Sequence, residues 1–165
     1  KESGINIDIP EPHDSLEENA REKSFTIYQL TGRDCFSEDT GLETESLSGA
    51  PGVKSARYAG ENASYEDNIQ KLLAALKNKT DRKARFRTVI SLVLKGREYQ
   101  FEGICTGIIM EEKRGHSGFG YDPVFVPDGD TRTFAEMNTA EKNIYSHRKK
   151  AMDKLISFLA DNNNG

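Results

Sequence analysis

One stretch of this chain restricts its possible folds more than any other. From Arg85 to Leu94 the residues alternate, with Phe86, Thr88, Ile90, Leu92 and Leu94 falling on one face. A period of two is the signature of a strand with a buried side. Lys95-Gly96 follows as a turn, and Glu98 to Met110 returns as a second long strand. The spacing predicts a long antiparallel hairpin on which the rest of the chain must pack. Gly103 and Gly107 within the returning strand predict bulges or bends.

The flanking segments carry helical and turn signals. Ser15-Leu16-Glu17-Glu18 has the form of a capping box, opening a helix that runs to about Leu30 and stops at Gly32. Asn19 has no cap role there, and helix interiors disfavour it. Ser64 caps a second helix whose Ile69, Leu72, Leu73 and Leu76 make one apolar stripe. A last helix is expected from near Thr139, taking Ile144, Met152, Leu155 and Leu159 into the core. It gives way to a frayed polar tail from Asp161 to Gly165. Ile5, Ile7 and Ile9 alternate ahead of Pro10 and Pro12, as in a short edge strand. Asp34-Cys35-Phe36-Ser37 reads as a short strand running into an acidic turn, Glu38-Asp39-Thr40-Gly41. Ser48 to Gly60, with Gly49, Pro51, Gly52 and Gly60, reads as a loop. Val124-Phe125-Val126 forms a short apolar strand. The pattern is mixed α and β with a meandering sheet, and 165 residues amount to a single domain.

Composition excludes some classes of function. With 23 basic and 27 acidic residues the formal net charge is −4, which lacks the basic excess that nucleic-acid binding calls for. No apolar run reaches the length of a membrane span and no signal peptide is visible, so no membrane partner is expected and the location expected is cytoplasmic. Cys35 and Cys105 lie apart in apolar runs, as buried free thiols rather than a disulfide or zinc site. His13, His116 and His147 are too few for a histidine-rich metal centre, and no Ser/His/Asp or Cys/His arrangement emerges.

Four constellations could carry chemistry. Glu38 and Asp39, followed by Thr40 and Gly41, can hold Mg²⁺ through one or two carboxylates plus phosphate oxygens of a substrate; the same residues also suit a solvated β-turn. Glu18 can ligate a metal from the helix start, although its capping role alone accounts for it. Gly115 to Pro123 interleaves glycines with Phe119 and Tyr121, as in a loop folding around a flat ring, with Asp122 able to accept from a base or ribose. No Gly-Lys-Ser/Thr ending makes it a phosphate-binding P-loop. Lys142, placed in the first turn of the last helix, suits a polyphosphate there, and Arg148 offers a fixed fork of donors. A solvated basic face accounts equally for Lys142, His147 and Arg148.

Taken in order, these segments resemble one family. Leu16-Glu17-Glu18-Asn19-Ala20, Ser37-Glu38-Asp39-Thr40-Gly41-Leu42 and Gly49-Ala50-Pro51-Gly52-Val53-Lys54-Ser55-Ala56-Arg57-Tyr58 begin the series. Gly118-Phe119-Gly120-Tyr121-Asp122-Pro123, Ala135-Glu136-Met137 and Glu141-Lys142-Asn143-Ile144-Tyr145-Ser146-His147-Arg148 complete it. Over Ile9 to Leu159 the chain resembles the inosine triphosphate pyrophosphatases, the Ham1-like enzymes acting on non-standard purine nucleotides.

The resemblance implies an elongated α/β protomer with a long central mixed sheet flanked by helices, two lobes around a cleft, and a homodimer. It implies Mg²⁺-dependent hydrolysis of ITP, dITP and XTP to the monophosphate and pyrophosphate. Asp39 would be the catalytic carboxylate at the metal, Glu18 a further metal ligand and Glu38 an assisting neighbour. Thr40 would contact substrate, Phe119, Gly120, Tyr121 and Asp122 would hold the base, Lys142 the phosphates, and His147 with Arg148 the base edge. The family's amino-terminal strand with its Asn-x-x-Lys grip has no counterpart before Ile5, so residues 1–165 are expected to be one pyrophosphatase domain lacking that element. The competing expectations are a non-catalytic nucleotide-binding protein and a pyrophosphatase for other modified nucleotides.

Overall fold

The structure is a computed structural model and describes residues 13–163. The predicted Ile5–Ile9 strand and the last two tail residues lie outside them. The expected hairpin forms the axis of the fold. β3 (Lys83–Leu94) and β4 (Arg97–Ile109) pair antiparallel from Lys83 opposite Ile108 to Leu94 opposite Arg97. β1 (Cys35–Thr44) pairs with the other side of β3. With β2 (Pro51–Gly52) and β5 (Phe125–Pro127) the sheet order is β2-β1-β3-β4-β5, and every pairing among the described residues is antiparallel.

β3 is covered on both faces, whereas the sequence alternation revealed only one. Val89 and Ser91 lie beneath α1 (Leu16–Thr31), where Leu16 and Ala20 pack on Val89 and the Ser24 and Ser91 hydroxyls are 2.8 Å apart. Ile90 and Leu92, on the opposite face, pack against Ala151 and Leu155 of α4 (His147–Asn163). Toward the other end of that face, Phe86 and Leu42 join Phe125, Phe134 and the stripe Ile69-Leu72 of α2 (Tyr65–Ala75).

The caps are where the sequence puts them. Ser15 accepts from the Glu18 amide at 3.1 Å, and Gly32, in the left-handed region, ends α1 by donating to the Tyr28 carbonyl. Asn19 is fully buried because it grips the preceding segment: its amide oxygen accepts from His13 N at 3.0 Å and its nitrogen donates to His13 O at 3.2 Å. Ser64 and Asp67 form a reciprocal box at α2.

Three expectations change. The acidic Glu38-Asp39-Thr40-Gly41 is not a turn but the middle of β1, with Glu38 opposite Ile90 and Asp39 opposite Val89. A doubly buried β3 needs ladder partners on both sides, and backbone pairing outweighs the weak turn preference of these residues. The last helix is two helices, α3 (Thr139–Asn143) and α4, so Lys142 is in the last turn of a short helix and Ile144 is 74% exposed rather than in the core. Tyr145, whose hydroxyl donates to Asp130 at 3.1 Å, holds the break, and Ser146 re-caps the chain by accepting from Lys149 N. The glycines of β4 cause no bulge, since the register runs unbroken past both. They permit close approach instead. A Cβ on Gly103 would lie 1.9 Å from His147 O and 2.6 Å from Ala151 N, and one on Gly107 2.2 Å from Val126 O.

Gly103→Ala should therefore push the start of α4 off the sheet. Overpacking against backbone leaves no soft side chain to yield, so urea denaturation should report a loss of about 3 kcal/mol.

Candidate active site

The candidate site gathers along β1. β2 meets β1 only at Leu42 and Glu43, so the stretch from Cys35 to Gly41 has β3 on one side and no strand on the other among the described residues. Successive side chains of a strand point to opposite faces, and here this splits the acidic pair. Asp39 lies on the α1 face and is 9% exposed; its Oδ1 accepts from Thr40 N at 3.1 Å and stands 3.8 Å from Lys23 Nζ. Lys23, on α1, also donates to the Glu38 carbonyl at 2.6 Å. Glu38 and Thr40 lie on the α4 face. Glu38 receives the Arg148 guanidinium, and the Thr40 hydroxyl is 2.8 Å from that of Thr88.

Lys23 is the site residue that sequence reasoning missed. Its signal was positional: it falls on the stripe of α1 defined by Leu16, Ala20 and Ile27, where a cation needs a partner.

From Arg148 a run of contacts crosses to the glycine-rich loop. The neighbouring His147 ring stacks on Phe86 with centroids 4.9 Å apart and planes 13° from parallel. Phe86 lies against Phe134, and Lys142 Nζ sits 5.6 Å above the Phe134 ring and 4.8 Å above that of Phe119. Lys142 donates to Asp122 Oδ2 at 2.6 Å, and the same oxygen accepts from Phe119 N at 3.1 Å. Asp122 is thus buried and fixes the loop. Gly118 has φ +80° and no room for a side chain, since a Cβ would stand 2.2 Å from Asp122 Oδ2. Gly120 also takes positive φ. The outcome is a Phe119 ring 58% exposed, available for stacking.

Tyr121 is placed otherwise. Its ring is in the core and its hydroxyl donates to Ser55 O at 2.6 Å; burial drives its ionisation well above the usual phenol range. Ser55 Oγ in turn accepts from Leu42 N at 2.8 Å and donates to Gly52 O at 2.6 Å. Tyr121 therefore braces the glycine-rich loop against the Gly49–Tyr58 segment and β1, leaving the exposed ring surface to Phe119.

Glu18 stands at the start of α1, its carboxylate 3.2 Å from Ser15 Oγ and 3.4 Å from His13 Nδ1. Among the described residues no group of three or more His, Cys, Asp or Glu side chains is placed to hold a metal. The donors present are hard carboxylate oxygens of the kind Mg²⁺ takes, and such an ion commonly keeps water and substrate phosphate in most of its positions. Asp39 and Glu18 both carry donors of that kind.

Electrostatics near α4 have a clear consequence. Burial first, then the charges of Lys142, Arg148 and Lys150, depress His147 to a pKa of about 4. Its Nδ1 is buried and finds no hydrogen-bond partner among the described residues. His147 is thus neutral at pH 7. Because its folded pKa lies below the unfolded value of about 6.5, the unfolded chain binds the extra proton first as pH falls. Stability present above pH 6.5 should decline toward pH 4, on the order of 1–2 kcal/mol between pH 7 and pH 5. Carboxylates such as Asp130, held low mainly by Arg132, lose their contribution only at lower pH. Denaturation midpoints followed from pH 7 to pH 5 should show the decline, and His147→Phe, which keeps the ring stack without titrating, should flatten it.

Known proteins resemble this chain over most of its length. The Ham1 family model matches residues 1–158. A dITP/XTP pyrophosphatase of Christiangramia forsetii is 53% identical over 155 residues, covering 94% of this chain and 82% of the relative. One of Flavobacterium johnsoniae is 51% identical, over 92% of this chain and 79% of the relative. The solved Staphylococcus aureus Ham1 protein superposes with a TM-score of 0.92 at 40% identity, covering 95% of this chain and 82% of that one. With nearly its whole length matched, the chain belongs to the Ham1 family.

Proposed function

We propose that the chain is a Mg²⁺-dependent nucleoside-triphosphate pyrophosphatase that hydrolyses ITP, dITP and XTP to the monophosphate and pyrophosphate, removing non-standard purines from the nucleotide pool. The relatives' name, dITP/XTP pyrophosphatase, supports the substrate class. The observation that carries the chemistry is Asp39, held beside Lys23 on the α1 face of β1, with Glu38, Arg148, His147, Lys142 and Phe119 following across the other face.

Asp39 takes the proton from a water whose oxygen bonds to the α-phosphorus. The α–β bridging P–O bond breaks, and pyrophosphate leaves with the bonding pair. Asp39, with Glu18, would hold Mg²⁺, which when bound neutralises triphosphate charge. Lys23 sets its ammonium group beside the reacting carboxylate, and Lys142 exchanges Asp122 for phosphate oxygens. Thr40 touches the substrate from β1. Phe119 stacks on the base, over a loop shaped by Gly120, Tyr121 and Asp122. His147 borders the base while Arg148 donates to its 6-oxo group. Adenine presents an amino donor there, and the resulting unpaired groups are the source of discrimination.

The protein works as a homodimer with its site between two lobes. It resides in the cytoplasm, a setting that suits two cysteines found free. No helix among the described residues is long and apolar enough to cross a membrane.

Pyrophosphate release should exceed that from ATP by about 10²-fold or more for ITP, and should stop when EDTA removes the metal. Equal rates on the two nucleotides would defeat the selectivity. Asp39→Asn should lower kcat on ITP by about 10²–10⁴-fold, measured by a coupled pyrophosphate assay.

A further inference from the structure

Glu38 and Asp39 are adjacent carboxylates, yet β1 sends them to opposite faces and gives them different partners. Glu38 faces α4, and its Oε1 accepts from Arg148 Nη2. The two ends of that ion pair differ in freedom. Arg148 is 57% exposed at its side chain, a long group at the start of a helix, whereas Glu38 is 30% exposed. Glu38 is also fixed from behind: its residue pairs in register with Ile90, and its carbonyl accepts from Lys23 Nζ at 2.6 Å. A guanidinium has five N–H donors in a rigid fork. With Nη2 held by Glu38, the Nη1 and Nε donors keep a set direction.

We propose that Glu38 is a positioning residue for Arg148, and that through this tether it governs base selectivity rather than phosphoryl chemistry. The proposal rests on the reading of Arg148 as the donor to the 6-oxo group. Glu38 acts in two ways. It selects one of many Arg148 rotamers, and it balances the guanidinium charge when a neutral base displaces water from it. Neither action touches the α-phosphorus, so Glu38 and Asp39 divide selectivity and chemistry between the two faces of one strand.

The test compares kcat and KM on ITP and on ATP for Glu38→Ala, Glu38→Gln, Arg148→Ala and the Glu38→Ala/Arg148→Ala double variant of the full-length protein. Glu38→Ala should lower the ITP-to-ATP ratio of kcat/KM about tenfold or more, the scale of one hydrogen bond to a charged group, chiefly by raising KM for ITP. Glu38→Gln, which keeps an acceptor, should recover part of the loss. Adding Glu38→Ala to Arg148→Ala should change the ratio no further. If Glu38→Ala slows both nucleotides by the same factor, the tether is wrong and Glu38 serves the phosphates. If Arg148→Ala itself leaves the ratio intact, the base-reading role of Arg148 fails instead, whatever Glu38 does.

Discussion

The burial of β3 on both faces is the constraint from which the rest follows. A strand that has α1 over one face and α4 with α2 over the other lies at the centre of the sheet, and its ladder groups find hydrogen-bonded neighbours along both edges. β4 supplies one edge through the hairpin. β1 supplies the other, and that requirement draws a polar, acidic segment into the sheet. Asp39 gains by this a position that a surface turn could not give. It is nearly buried, rigid along the backbone and set beside a lysine on the helix that crosses it.

The same placement brings together residues far apart in sequence. Among the described residues β1 pairs with β3 along its whole length and with β2 at Leu42 and Glu43. Asp39 with Lys23 lies on its α1 face, and Glu38 with Arg148 on its α4 face. Contacts run continuously from Glu38 through Arg148, His147, Phe86 and Phe134 to Lys142 and the loop at Phe119. Asp122 ends the series, as a buried carboxylate holding the loop and Lys142 at once.

Features set by local chemistry were legible in the sequence. The hairpin, its Lys95-Gly96 turn, the Ser15 and Ser64 caps and the Gly32 stop all depend on residues a few positions apart, and all are present. Features set by long-range packing were not. The turn propensity of Glu38 to Gly41 gave way to ladder pairing decided some fifty residues away. Gly103 and Gly107 looked like strand defects because a sequence does not display the backbones that press against them. Tyr121 looked like a ring for stacking, and only the fold reveals the Ser55 carbonyl that claims its hydroxyl. The break before His147 escaped notice because neither glycine nor proline marks it; an Asp130–Tyr145 hydrogen bond does the work.

The contact between Gly103 and the first turn of α4 bears on substrate tolerance. Backbone meets backbone there, so the stem of Arg148 inherits the stiffness of the sheet. Phe119 rides instead on a loop bent by two glycines and is open to solvent. On the reading proposed above, a purine would lie between a donor on a stiff stem and an aromatic ring that faces solvent. Such a clamp would be strict about the group at the ring edge facing Arg148 and indifferent to hydrogen or oxygen at an edge left to water, as hypoxanthine and xanthine require.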